Sequence, residues 1–409
     1  PYAQQLEEKQ RFVADLFEEI AGDECLLLPI AGMETPFQYR NKIASQFAPG
    51  KRLSPKNPRS QNGRARGKTK SAARRRGGLD REVRCGMYAA GTHRIIEASS
   101  CAIEHPIGRR IIQAVRQLMM RYGVTPYNED AGTGFMRHCV VRVGHESGEV
   151  LVTLVTNAEE FPGGRNFARE LVRRCPEITT VVQNVNTQAT NAILGRKEHT
   201  LYGPGFILDT LCGLSFRISA HSFYQVNSTQ TEVLYRSAMH AAGLDNDSNH
   251  VDDPNNKDSA APTIIDAYCG KGNLGIVAAS LATGAQVIGV DTTESAIRDA
   301  RQNAAHNGIT NAEFICADAG AFMRAFAEEG RTVDIVLMDP PRAGASEEFL
   351  QSVCALSPER IVYISCNPET QVRDMRYLTK RGYALQTIQA VDMFPHTPHV
   401  ETVCSLART

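Results

Sequence analysis

Three short segments near the C-terminus hold residue types from which a covalent reaction can be built. Ser365-Cys366-Asn367-Pro368 closes the apolar run 361–365, in a turn just before a predicted helix start. A thiol there sits at the edge of a strand, not in a core, and a helix N-terminus favours its thiolate, the form that attacks. His399-Val400-Glu401-Thr402 begins the last strand, 35 residues after Cys366. A partly desolvated Glu has the raised pKa that suits a general base. Asp339-Pro340-Pro341-Arg342 follows a buried strand, and its two prolines stiffen the main chain into a ledge for a planar ring.

A thiolate and a carboxylate together can carry addition and elimination on a pyrimidine. Carbon 5 of uracil is a poor nucleophile; a thiolate adding at C6 makes the ring an enolate with electron density at C5. C5 can then accept a methyl group, and a base must remove the C5 proton before the thiol leaves. Cys366 is read as the nucleophile and Glu401 as the base. A Pro-Pro loop of this kind also serves methylation of exocyclic amines, which needs no covalent step, but that reading leaves Cys366 and Glu401 idle. His396 and His399 flank the base and are read as orienting neighbours, since no partners stand at metal-ligand spacing.

A glycine-rich loop, Asp266-Ala-Tyr-Cys-Gly270-Lys-Gly272-Asn-Leu-Gly275, follows the first strand of a regular βα series and opens a helix. Its glycines allow a tight turn and close approach to a ligand. Alone it fits NAD as well as S-adenosyl-L-methionine; the downstream residues decide for the latter. Asp291 closes the next strand, where its carboxylate can accept both hydroxyls of a ribose. Asp318 and Asp339 stand at further strand ends, where open α/β sheets bind ligands. For Asp318, capping of a helix is a serious rival reading. Cys269, inside the loop, is read as packing, like the remaining thiols.

These residues need a scaffold, and the pattern from Thr263 onward provides one: strands TIIDAY, QVIGVD, AEFIC, DIVLMD and IVYIS, with helices at 274–283, 294–306, 346–355 and 369–380. The expected fold is α/β, a doubly wound Rossmann-like sheet with right-handed crossovers. Strands at 383–391 and 400–407 are expected to pair antiparallel at one edge. Before this domain, residues 1–22 read as an amphipathic helix ended by Gly22. Strands at 37–50 and 82–97, a helix at 106–123 with Pro106 in its first turn, the runs HCVVRV, EVLVTLVT and TTVVQNVN, and a helix at 163–174 form an α+β block ending near 215. The predicted domains are 1–32, 33–215 and 216–409.

Composition narrows the class. The 409 residues are 42% hydrophobic and 22% charged, the balance of a soluble globular protein, and no stretch is apolar enough to span a membrane. Lys plus Arg equals Asp plus Glu at 45 each, so net charge identifies no partner. Distribution says more: from Lys51 to Arg76 there are eleven Lys or Arg and no Asp or Glu. The run 51–80 is either a solvated loop or an arm that grips phosphates. Residues 245–262 read as a polar insertion. Eleven cysteines with no CxxC pair indicate reduced thiols and a cytoplasmic location.

The stretches SFYQVN (222–227), DAYCGKGNLG (266–275), DPPRAG (339–344), SCNP (365–368) and DMFPHTPHVETV (392–403) resemble, in this order, the RNA uracil-5-methyltransferases. The resemblance covers nearly all the chain except 51–80 and 245–262. It implies the thiol and base roles given above, and a cofactor site lined by Gln225, Tyr268, Asn273, Asp291, Asp318 and Asp339. Gln225 gains a role only from the resemblance. Most members have Glu where this chain has Asp291, which shortens the reach to the ribose. The resemblance further implies an RNA-binding central domain, a helix at 1–32 packed on the catalytic domain, and a monomer acting on a flipped-out uridine. The branch acting on 23S ribosomal RNA is the better match, with transfer RNA as the alternative. That branch often carries an N-terminal barrel and a 4Fe–4S cluster. Cys101, in SSCAIEHP, matches the fourth cluster ligand or is a plain core cysteine; the other ligands would belong to a longer form of the chain.

Overall fold

The computed structural model describes residues 1–53, 79–98, 100–190, 192–245 and 261–409. Most of the basic run at 51–80 and of the insertion at 245–262 lies outside the described residues.

In chain order, α1 (Tyr2–Phe17) and β1 (Leu26–Ala31) come first. They are followed by β2 (Lys42–Arg52), β3 (Arg81–Tyr88), β4 (Ile95–Ile96), α2 (Pro106–Tyr122), β5 (Met136–Val143), β6 (Val150–Thr156), α3 (Gly164–Arg174), β7 (Ile178–Val185) and β8 (Lys197–Tyr202). The two-stranded β9 (Ile207–Leu211) and β10 (Leu214–Ile218) precede α4 (Ser228–Ala242). The regular series is β11 (Thr263–Ala267), α5 (Asn273–Leu281), β12 (Gln286–Asp291), α6 (Glu294–His306), β13 (Ala312–Cys316), α7 (Ala319–Glu328), β14 (Ile335–Met338), α8 (Glu347–Leu356), β15 (Arg360–Ser365), α9 (Pro368–Thr379), β16 (Tyr383–Val391) and β17 (Glu401–Arg408).

The chain divides into two compact units. The first comprises residues 1–39, 210–217 and 222–409. Its eight-stranded sheet has the order β1-β16-β17-β15-β14-β11-β12-β13. Strands β13, β12, β11, β14 and β15 run parallel, as βα units require. The order reverses between β11 and β14, the switch point where such sheets open a ligand crevice at their carboxyl ends. Strands β16 and β17 pair antiparallel, as expected. The antiparallel strand, however, is not at the edge. β17 lies between β15 and β16, and β1 covers the edge by pairing parallel with β16. β1 is short and contains Pro29, and its partner is more than 350 residues away, so no local pattern announced it. Helix α7 was likewise not anticipated.

Helix α1 belongs to this unit. Val13 and Phe17 enter its core beside Val372 and Ile388. Lys9, 6% exposed, donates to fully buried Asp392 at 2.6 Å and to the Phe394 carbonyl at 3.2 Å, while Tyr2 Oη donates to the other Asp392 oxygen at 2.8 Å. Removing one partner strands a buried charge, which costs about 3–5 kcal/mol. Lys9→Met should therefore lower the unfolding free energy by about that amount in a denaturant titration. A change under about 0.5 kcal/mol, the level of an ordinary surface substitution, would show that the pair does not hold α1.

The second unit comprises 40–209 and 218–221. Its sheet, β4-β3-β2-β5-β6-β7-β8, is antiparallel except for β6 and β7, which are parallel and joined through α3. Ile111, Ile112, Val115 and Leu118 of α2 and Phe167 and Leu171 of α3 share a core with Ile43, Val141 and Leu154 of the sheet. Pro106 occupies the first turn of α2, and Gly123 ends it in the left-handed region at φ 70°.

Candidate active site

The carboxyl ends of five adjacent strands carry the candidate residues. Cys366 follows β15, Asp339 follows β14, the glycine loop follows β11, Asp291 ends β12 and Asp318 follows β13. Neighbouring strands lie about 4.8 Å apart, so the sheet itself sets these residues in a row.

The loop after β11 is held in shape from both sides. Tyr268, Gly270 and Gly272 have φ of 62°, 53° and 75°, and the nonglycine Tyr268 carries strain of a kind found at ligand sites. Asp291 accepts from the amides of Gly270 (3.1 Å) and Thr293 (2.7 Å). Buried Asp266 accepts from the Gly275 amide at 2.8 Å. Burial pushes Asp266 up to about 8, against the Gly275 bond and aided by Asp339 and Asp291. Lys271, also buried, donates to the Arg217 carbonyl at 2.9 Å. Asn273 begins α5, and its Oδ1 is buried without a hydrogen-bond partner among the described residues. The place a Cβ would occupy at Gly270 is open for 4 Å. An orphaned acceptor beside an open main-chain cradle fits the expected adenosyl ligand. Cys269 is buried with its sulfur toward Gly289, as its packing reading required.

Asp318 caps α7: its Oδ1 accepts from the Ala321 amide at 2.9 Å. The rival capping reading thus describes a bond the residue makes; burial raises the Tyr268 phenol, and Asp318 adds to that rise. Tyr268 packs against Phe349 with ring centroids 5.0 Å apart. Gln225 is partly exposed, two residues before Asn227, which caps α4 and donates to the Met393 carbonyl at 3.0 Å.

Around the thiol, the pairing of β15 with β17 decides the geometry. Ser365 is opposite Thr402, so the next position on each strand sets Cys366 beside Glu401. Glu401 is 3% exposed, and burial, with Asp339 adding to it, pushes its carboxyl up to about 8. Burial pushes Asp339 up to about 7. Cys366 is partly exposed, and its thiol is also raised: burial, Glu401 and Asp339 outweigh the opposing pull of the Arg342 guanidinium. The sequence led us to expect a thiolate favoured by the α9 N-terminus; burial first, and then the acids Asp339 after β14 and Glu401 of β17, push the thiol the other way.

Arg342 also meets His399 (Nη2 to Nδ1 3.3 Å), and its carbonyl accepts from Asn367 Nδ2 at 3.0 Å and Thr370 Oγ1 at 3.2 Å. Buried Asp374 fixes the same loop, accepting from the Ala345 amide at 2.8 Å and Tyr363 Oη at 2.7 Å. Arg342, Cys366, Pro368, His399 and Val400 line a cavity of about 290 Å³. Sequence reasoning gave no role to Arg342, Asp266 or Lys271. The only signal for Asp266 was a carboxylate inside an apolar strand. Cys101 is partly exposed, and among the described residues no three His, Cys, Asp or Glu side chains gather as a metal site. Nor, among them, is any helix long and apolar enough to cross a membrane.

Residues 258–401 match a family described as a methyltransferase domain. An uncharacterised RNA methyltransferase of Bacillus cereus is 37% identical over 408 residues, covering 100% of this chain and 79% of that protein. One from Oceanobacillus iheyensis is 37% identical over 407 residues, covering 99% and 79%. Among solved structures, the tRNA (uracil-54, C5)-methyltransferase of Pyrococcus abyssi, in complex with S-adenosyl-L-homocysteine, aligns with a TM-score of 0.72 and 25% identity, over 100% of this chain and 84% of that one.

Proposed function

The chain belongs to the S-adenosylmethionine-dependent RNA methyltransferases, and within them we propose that it methylates C5 of a uridine through a transient bond between Cys366 and C6 of the ring. The observation that carries this reading is the β15–β17 register, which sets a thiol beside a buried carboxyl at the open end of the sheet.

Bound S-adenosylmethionine supplies an electrophilic methyl group. Gln225, Tyr268, Asn273, Asp291, Asp318 and Asp339 are the residues assigned to hold it. The Cys366 sulfur bonds to C6, and the electron pair of the C5–C6 double bond moves toward C5 and the C4 oxygen. C5 takes the methyl group as the methyl–sulfonium bond breaks, which leaves S-adenosylhomocysteine as the second product. Glu401 removes the C5 proton, the double bond re-forms, and the C6–S bond breaks to return the thiolate. Arg342 steadies sulfur charge at the start and end. Because both the thiol and Glu401 must lose protons, and both sit above their ordinary values, kcat/KM should rise with pH toward about 8 in a steady-state profile. A rate that fell between pH 6 and 8 would contradict the assignment.

Asp291→Ala tests the cofactor half of the site. It deletes a carboxylate that shapes the loop and that is assigned here to the cofactor, and charged hydrogen bonds are worth about 1.5–3 kcal/mol each. S-adenosylmethionine should bind about 10- to 150-fold more weakly by calorimetry. Unchanged affinity would remove Asp291 from the site.

The RNA we propose is 23S ribosomal RNA, on the resemblance given by Cys101 and the long central unit. A tRNA is the second reading, favoured by the Pyrococcus neighbour's specificity. Labelled methyl transfer to transcripts of each, followed by nucleoside mass spectrometry, separates them; absence of 5-methyluridine from both overturns the proposal. A 4Fe–4S cluster needs about four cysteine ligands. The described residues offer Cys101 alone of the assigned set, so they do not fit a cluster and no step passes through one.

A further inference from the structure

A second cavity, of about 660 Å³, adjoins the one at Cys366, and the two share Phe12 and Pro398 as a common wall. It lies between α1 and residues 396–398, with Gln5, Lys9, Phe12 and His396 on its surface. We propose that this groove binds the base of the nucleotide next to the target uridine. The inference rests on the proposed function and names a further part of the RNA that the same site holds.

Its surface chemistry favours a base over a phosphate. The cation on its wall, Lys9, is committed to Asp392 at 2.6 Å, and Glu8 lies on the same wall. Beside the Glu8 carboxylate, which repels a phosphate, the space is lined by a phenyl ring, an imidazole, a proline, a threonine and an amide. Phe12 is 42% exposed, an unusual position for a large apolar side chain that lines a cavity. Single-stranded RNA is read by stacking of unpaired bases on aromatic rings, with hydrogen bonds to their edges. The volume lies within the range of about 300–1,000 Å³ for small-molecule sites.

The groove is also built, not incidental. His396 has φ 65°, a left-handed conformation that nonglycine residues seldom adopt. Gln5 holds it there, its Oε1 accepting from the His396 amide at 3.0 Å while its Nε2 meets Nδ1 at 3.3 Å. Phe37 stacks on the imidazole at 4.7 Å and 22°, and Tyr2 packs at 6.0 Å. These contacts fix the plane of an exposed ring one cavity away from the nucleophile. A flipped uridine at Cys366 brings its chain neighbour to within one nucleotide of that ring. Continuity of the two cavities therefore selects a flanking nucleotide over an unrelated ligand.

The test is a cycle of protein and RNA variants. Stem-loop substrates carry an abasic residue immediately 5′ or 3′ of the target uridine. With wild-type protein, one of the two abasic RNAs should show kcat/KM reduced about 5- to 150-fold. Phe12→Ala should show a similar loss on the intact RNA and little further loss on that abasic RNA, while Phe12→Trp restores activity on the intact RNA. His396→Ala should behave like Phe12→Ala. Losses that multiply independently, or a wild type indifferent to both abasic sites, overturn the inference while leaving the proposed function standing. Weaker binding of S-adenosylmethionine by Phe12→Ala, with RNA binding unchanged, assigns the groove to the cofactor and also overturns it. Failure of the wild type to form 5-methyluridine in any RNA defeats the underlying reading instead.

Discussion

Cys366→Ala should abolish methyl transfer while leaving the protein folded and able to bind S-adenosylmethionine. The sulfur is partly exposed at the end of β15, so its removal opens no sealed cavity and should change stability by less than about 0.5 kcal/mol. The cofactor loop lies across β14, two strands away, and its main-chain bonds to Asp266 and Asp291 do not involve Cys366. Calorimetric affinity for the cofactor should therefore stay within about 2-fold of wild type, a difference of some 0.4 kcal/mol. The rate should not survive, because without covalent addition at C6 the C5 carbon has no electron density to offer. A loss of about 10⁴-fold corresponds to roughly 5.5 kcal/mol of barrier. RNA with 5-fluorouridine at the target sharpens the result. The fluorine cannot leave as a proton does, so wild-type protein should accumulate a denaturation-stable adduct and Cys366→Ala should form none. Full methylation by Cys366→Ala would favour the amine reading, in which the loop Asp339–Arg342 acts without a covalent partner.

The βα series was legible because each buried strand and its helix repeat within a few tens of residues. The residues at the strand ends could therefore be named from order alone. Non-local pairing was less accessible. Nothing near Leu26–Ala31 says that it pairs with β16, and this single strand moved the expected antiparallel edge into the interior. Helix α7 begins at the residue whose capping role had been weighed, Asp318, yet its segment AGAFMRAFAE was passed over. The chemical state of Cys366 was also beyond local reading. A turn before a helix suggests a stabilised thiolate, whereas burial opposes it, helped by two acids that come from the end of β14 and the start of β17. The same gap hid Arg342, whose significance is its contact with a sulfur 24 residues later.

Glu401→Gln should separate the two halves of the reaction. The amide keeps the shape and burial of the side chain but cannot take a proton. Addition of Cys366 to C6 and acceptance of the methyl at C5 do not require that proton to move; release of the thiol does. A covalent protein–RNA complex should therefore build up on natural uridine RNA, visible as a slow band on a denaturing gel, with turnover reduced about 10²–10⁴-fold. Normal turnover would refute the role of Glu401. Stability offers an independent readout of the same carboxyl. Its folded value, about 8, lies above that of an unfolded Glu, so between these values the folded protein holds a proton that the unfolded chain has released. The stability this contributes is complete below the unfolded value and is lost as pH rises through about 8. Wild-type Tm should fall between pH 6 and 9, and Glu401→Gln, neutral throughout, should fall less. Asp266 and Asp339 are raised in the same direction, so some decline should persist. The pH range in which the base becomes competent is thus the range in which its burial begins to destabilise the fold. If Glu401→Gln and wild type lost Tm in parallel across that range, the carboxyl would not be held protonated in the free protein, and the argument for its role as base would lose its electrostatic support.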